Sequence, residues 1–113
     1  MLEGSFVMTY PCFFLLTKEG NPELVDIDDA HCVCLFTDRH LVEEFHRHKY
    51  GTGGWHSLET FSIKDHGELL HVLQDWEPEF AKEGVTFIAI DVSPGKAPMY
   101  TTFPALIAEV AKG

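Results

Sequence analysis

A chain of 113 residues with 45% hydrophobic and 23% charged residues has the length and make-up of one globular α/β or α+β domain with its own core. Eighteen acidic residues against eight basic ones leave a net charge of −10, which repels phosphate and anionic headgroups. Nucleic acid and membrane surfaces are thereby excluded as natural partners, and a basic protein is favoured.

The run 6–16 (FVMTYPCFFLL) lacks a basic leader and a small-residue cleavage site and is too short to span a bilayer, so it reads as a strand. Pro11 inside it predicts an edge strand or a bulge, because proline cannot donate to the ladder. Residues 18–22 (KEGNP) form a turn, and Leu24–Asp28 alternates as a short return strand, which predicts an N-terminal hairpin of these two segments. The run His31–Phe36 is apolar enough to be covered on both faces.

A helix follows it. Thr37 suits the N-cap, and Phe36 and Leu41 have the spacing of a hydrophobic staple. Leu41, Val42 and Phe45 make one apolar stripe, basic residues 47–49 sit at the negative end, and Gly51 supplies the stop. After the loop 51–56 (GTGGWH), Leu58–Ile63 alternates as a half-exposed strand. Asp65 and Glu68 then open a second helix whose apolar face runs Leu69, Leu70, Leu73, Trp76, Phe80. Pro78 should kink or divide that helix, and Gly84 ends it. Val85–Ile90 is a second central strand, residues 93–96 a turn, Met99–Thr101 a very short strand, and Pro104–Lys112 a closing helix.

The expected architecture is a mixed sheet of about five strands with an N-terminal hairpin, two consecutive βαβ units and a C-terminal helix, all within residues 1–113. Strands laid down in one direction would put both crossover helices on one sheet face. Nine phenylalanines then make an uncovered aromatic face, and with it a homodimer or partner interface, a reasonable expectation.

Leu35-Phe36-Thr37-Asp38 leading into a helix, Leu69-Leu70 on the next one, the Gly84-Val85 re-entry, and Ile88-Ala89-Ile90-Asp91 before a Pro-Gly turn and a last helix resemble, in order and spacing, the N-terminal domain of SseB-like proteins. The resemblance covers roughly residues 10–110. It implies an α/β fold and little chemistry, since no catalytic residue carries over from that family.

Seven histidines invite a metal reading. His40, Glu44 and His48 recur at four-residue spacing along one helix face, in donors that zinc or iron accept. Apolar residues 41, 42 and 45 claim the buried side, leaving that trio mainly on the solvated one. The three cysteines, Cys12, Cys32 and Cys34, are an odd number in a chain large enough to fold unaided, which points to a reducing cytoplasm rather than a disulfide framework. Cys32 and Cys34 share one strand face and read as packing.

The glycine loop lacks the lysine and hydroxyl ending of a phosphate loop, but carries Trp55 and His56 as a recognition tip. Asp91 ends a central strand, where open sheets bind ligands and where a turn cap is also at home. No catalytic set emerges and no cofactor is implied. The expected function is a small cytoplasmic protein-interaction module, acting through a partner or through self-association. The alternative is a metal- or small-ligand-binding protein using the helix histidines or the Trp55 loop.

Overall fold

The computed structural model describes residues 9–17, 19–51, 59–93 and 99–112, and all structural statements concern these. In chain order the elements are β1 (Cys12–Leu16), β2 (Leu24–Ile27), β3 (Ala30–Phe36), α1 (Arg39–Tyr50), β4 (Glu59–Ile63), α2 (His66–Lys82), β5 (Phe87–Ile90), β6 (Met99–Thr102) and α3 (Phe103–Ala111). The strands form one mixed sheet of order β4-β1-β3-β5-β6, with β2 also paired to β3. The domain is α+β in class: β3 and β5 are parallel, and the remaining pairs are antiparallel.

The hairpin is not the expected one. β2 pairs with β3 (Leu24↔Val33, Ile27↔Ala30) around Asp28-Asp29, whose φ values of 51° and 67° are those of a two-residue type I′ turn. β1 also pairs with β3, further along at Phe13↔Phe36 and Phe14↔Leu35. Thus β1 and β2 lie end to end against the same edge of β3, separated by an excursion closed by the Leu16↔Pro22 bridge. Pro11 does not mark an edge strand either. It stands one residue before β1, which is flanked by both β3 and β4.

Two crossovers set the layers. The chain leaves β3, passes through α1 and enters β4 two places away, then returns through α2 to β5 on the far side of β3. Right-handed crossovers running in opposite directions place their helices on opposite faces. The packing agrees, and the expectation of a shared face is corrected. Leu69, Leu73 and Leu106 of α2 and α3 meet Phe14, Val33, Leu35, Ile88 and Ile90 in the main core. On the other face, Val42 and Phe45 of α1 pack on Phe13, Leu15, Cys34 and Phe36.

The helix termini follow capping chemistry. Asp38, not Thr37, caps α1, its carboxylate accepting from His40 N at 2.7 Å. That moves the N′ position to Thr37, so Phe36 and Leu41 no longer hold the N′ and N4 places of a staple; both belong to the packing under α1, where Phe36 meets Phe45, ring centroids 5.5 Å apart. Asp65 accepts from Glu68 N at 2.9 Å, while Glu68 Oε1 reaches back to Lys64 N at 2.9 Å. Pro78 does not divide α2. Residues 74 and 78 are both exposed, so the carbonyl that loses its N–H donor there faces water. α2 stops at Gly84 (φ 79°) in a Schellman motif, with Gly84 N bonded to Ala81 O at 3.1 Å and Val85 N to Phe80 O at 2.9 Å. β5 therefore begins at Phe87 rather than Val85.

Candidate functional site

Asp91 follows β5 with a positive φ of 52°, a conformation aspartate tolerates better than most residues. Its backbone N–H bonds Leu35 O at 2.9 Å. Its carboxylate accepts from Thr37 N at 2.7 Å and from Thr37 Oγ1 at 2.6 Å. Asp91 thus caps the step from β3 into α1, and Thr37 serves Asp91 instead of the helix; most of the turn expected at 93–96 lies outside the described residues. Both oxygens have partners within the chain.

The helix trio lies outward. His40, Glu44 and His48 are all exposed, and His40 Nδ1 stands 3.8 Å from Glu43. Among the described residues no group of three or more His, Cys, Asp or Glu side chains is placed to hold a metal ion. Trp55 and His56 lie outside the described residues. His66, which drew no attention in the sequence, is hydrogen-bonded through Nδ1 to Tyr10 Oη at 2.5 Å, with the rings edge to face at 4.9 Å. Burial, with smaller contributions from Cys12 and Asp65, pushes the Tyr10 phenol up to about 12.

The thiols are silent. All three cysteines are free and fully buried. Burial pushes the thiols of Cys12 and Cys34 up to about 12, and raises that of Cys32 as well. A thiol held protonated and shielded from solvent is a packing group, not a nucleophile.

The arrangement that remains is a surface. α1 covers β1 and the second half of β3 on its side of the sheet; among the described residues no helix packs on the rest of that face, where side chains of β2, β3, β5 and β6 gather. There Ile27, Cys32 and Ala89 are buried beneath Val25, Ala30, Phe87, Val92 and Tyr100, which are themselves half-buried. Phe87 and Tyr100 meet edge to face at 5.6 Å, and the Tyr100 hydroxyl donates to Asp28 Oδ2 at 3.1 Å across the hairpin tip. On the opposite face the aromatics are consumed by packing. Trp76 meets Phe14 at 4.7 Å and Phe61 and Phe80 at 5.9 Å, and Phe80 stacks on Phe103. A cavity of about 220 Å³ between α2 and α3 is lined by Ala81, Val85, Phe103 and Pro104, with Glu77 its one ionisable residue.

The aromatic excess suggested an uncovered face; among the described residues Phe87 and Tyr100 are half-buried, and the exposed large apolar side chain is Leu24. Phe87 was hidden inside an apolar run that read as a central strand. The signal was there in part: Phe87 and Ala89 alternate with Ile88 and Ile90, so only one of the two sets has to be under helices.

No protein-family model matches the chain, and no curated protein matches it closely enough to stand as a relative.

Proposed function

We propose that this chain is a small, non-enzymatic protein-interaction module of the cytoplasm. One observation carries the reading: among the described residues no helix packs on the apolar patch of Val25, Phe87, Val92 and Tyr100, although the opposite face carries two. The thiols are buried, Thr37 and Asp91 satisfy one another, and every fully buried side-chain nitrogen or oxygen among the described residues has a partner. No helix among the described residues is long and apolar enough to cross a membrane. The resemblance to SseB-like domains, a family of small modules, points the same way, as do three free cysteines to a reducing compartment.

The test is comparative capture followed by reconstitution. Proteins retained by the native chain and lost with Val25→Lys are purified and rebound in binary assays. A partner that binds natively and at least tenfold more weakly to the variant supports the reading. An identical set of partners for both proteins sinks it. Self-association is the other form of the same reading, and light scattering at high micromolar concentration separates the two.

A further inference from the structure

We infer that the cavity between α2 and α3 is a binding site for a small organic ammonium compound, an apolar body about the size of one ring whose single positive charge is received by Glu77. The cavity lies on the α2–α3 side of the sheet, and nothing in the inference rests on the patch of Val25 and Phe87.

Two helix ends build the hollow. The Schellman stop at Gly84 ends α2 and turns Val85 into the core, while Thr102 caps α3 directly after β6. The two ends are joined where Phe103 N donates to Thr86 O at 3.1 Å, at the Phe87↔Thr102 end of the β5–β6 ladder. Val85 and Phe103 are buried and make the floor, and Ala81, Thr86 and Pro104 are exposed at the rim. Both walls belong to stretches described without interruption, 59–93 and 99–112. The volume of about 220 Å³ sets the size of the occupant. An engineered apolar cavity of about 150 Å³ takes one benzene, so by proportion about nine non-hydrogen atoms fit here.

The charge follows from what the walls offer. Glu77 is half-buried, one turn before Ala81 on the same row of α2, and has no ion-pair partner among the described residues. Lys82, the basic residue of that last turn, is taken by Glu79 at 3.7 Å. The α2 wall is also the negative end of its helix, which favours a cation. The α3 wall is a helix start, yet it holds little for an anion. Phe103 N is bonded to Thr86 O, Pro104 has no N–H, and Ala105 N is bonded to Thr102 Oγ1 at 3.2 Å. A carboxylate or phosphate would meet Glu77 and no free donor among those three residues. The net charge of −10 draws cations to the mouth as well.

A free molecule suits the hollow better than a partner's side chain. Lysine brings the ammonium on a thin four-carbon stem, which leaves much of the volume empty.

Four small probes test the inference, with binding to the full chain followed by amide chemical shifts at pH 7 and low salt. Phenethylamine carries the ring and the charge, phenethyl alcohol is its neutral match, phenylacetate reverses the charge, and n-butylamine has the charge without the ring. Phenethylamine is expected to shift Ala81, Val85, Thr86 and Phe103. It should bind about fivefold more tightly than the alcohol, the worth of one partly exposed ion pair. Against phenylacetate and n-butylamine the preference should reach at least tenfold. Glu77→Gln should bring the amine down to the alcohol's affinity and leave the alcohol unchanged. Ala81→Leu, at an exposed helix position that tolerates leucine, should weaken both ring compounds at least tenfold. No shift at these residues at millimolar concentration would overturn the inference. So would an amine no tighter than the alcohol, n-butylamine equal to phenethylamine, or an unchanged preference in Glu77→Gln. None of these results touches the interaction reading, which is tested at Val25.

Discussion

Thr37 and Asp91, 54 positions apart, share two hydrogen bonds that fasten the end of β5 to the corner between β3 and α1. Asp91 makes them from a left-handed backbone, so the position asks both for a carboxylate and for a residue at ease with φ of 52°. Replacing it with alanine removes two hydrogen bonds to a charged acceptor and adds backbone strain, an expected loss of about 2–4 kcal/mol. Asp91→Asn keeps the conformational tolerance and one acceptor and should cost about 1 kcal/mol. Thr37→Val should cost about the same. In urea unfolding, a double-mutant cycle should return a coupling of about 1–2 kcal/mol, and additive losses would show that the two residues act separately.

Glu23 presents a second such fastening, at the other end of α1. Its side chain is 7% exposed, and it accepts from Lys49 Nζ at 2.5 Å and from the Tyr50 hydroxyl at 2.6 Å. Its backbone joins β1 to β3, through Glu23 N to Leu15 O at 2.8 Å and Cys34 N to Glu23 O at 3.3 Å. Glu23→Ala should destabilise by about 1–3 kcal/mol, since it removes the acceptor that Lys49 and Tyr50 share. The prediction extends to place: hydrogen exchange should accelerate first in the last turn of α1, and unchanged exchange there would contradict it.

Gly84 gives a test of backbone conformation with little else involved. A Cβ added there would meet nothing within 4 Å, yet φ is 79°. Gly84→Ala should therefore cost about 1–2 kcal/mol through conformation alone. A D-alanine introduced by ligation should remove that cost, measured by thermal unfolding.

Alkali should loosen the fold in a defined window. Tyr50 is pushed up to about 12 by burial and then by the Glu23 carboxylate, and Tyr10 to the same value, from an ordinary 10.0. The thiols of Cys12 and Cys34 rise to about 12 from 9.0. Folded-state values above the unfolded ones mean that the unfolded chain releases protons first as pH rises. The contribution is thus whole below pH 9 and falls away between 9 and 12. Denaturation midpoints should drop across that interval, and the pair Tyr10→Phe, Tyr50→Phe should flatten the part above 10.0. At pH 8 the native protein should resist maleimide at all three cysteines, each of which should label in urea.

Local chemistry accounts for what could be read in the chain. The apolar runs of β3 and β5, the stripes of α1 and α2, the Asp65–Glu68 start and the Gly84 stop depend on neighbours within a few residues, and their spans came out within two or three positions. The larger misses are non-local. Thr37 is a good cap in isolation, and only the arrival of Asp91 diverts it and passes the role to Asp38. The hairpin partner of β2 depends on which edge of β3 stays free. The faces taken by α1 and α2 depend on the order of strands, which no periodicity encodes. The patch around Phe87 and Tyr100 is a property of that order too, since it gathers side chains of β2, β3, β5 and β6.

β3 pairs along its length with β2, β1 and β5. A slip of one residue would exchange Cys32, Cys34 and Phe36 with Val33 and Leu35 between two differently shaped cores. It would also have to break three ladders together. This strand is therefore the register standard of the molecule, against which every other strand is aligned. The chain cannot drift into a neighbouring alignment by small steps, because β3 admits only the native pairing or none.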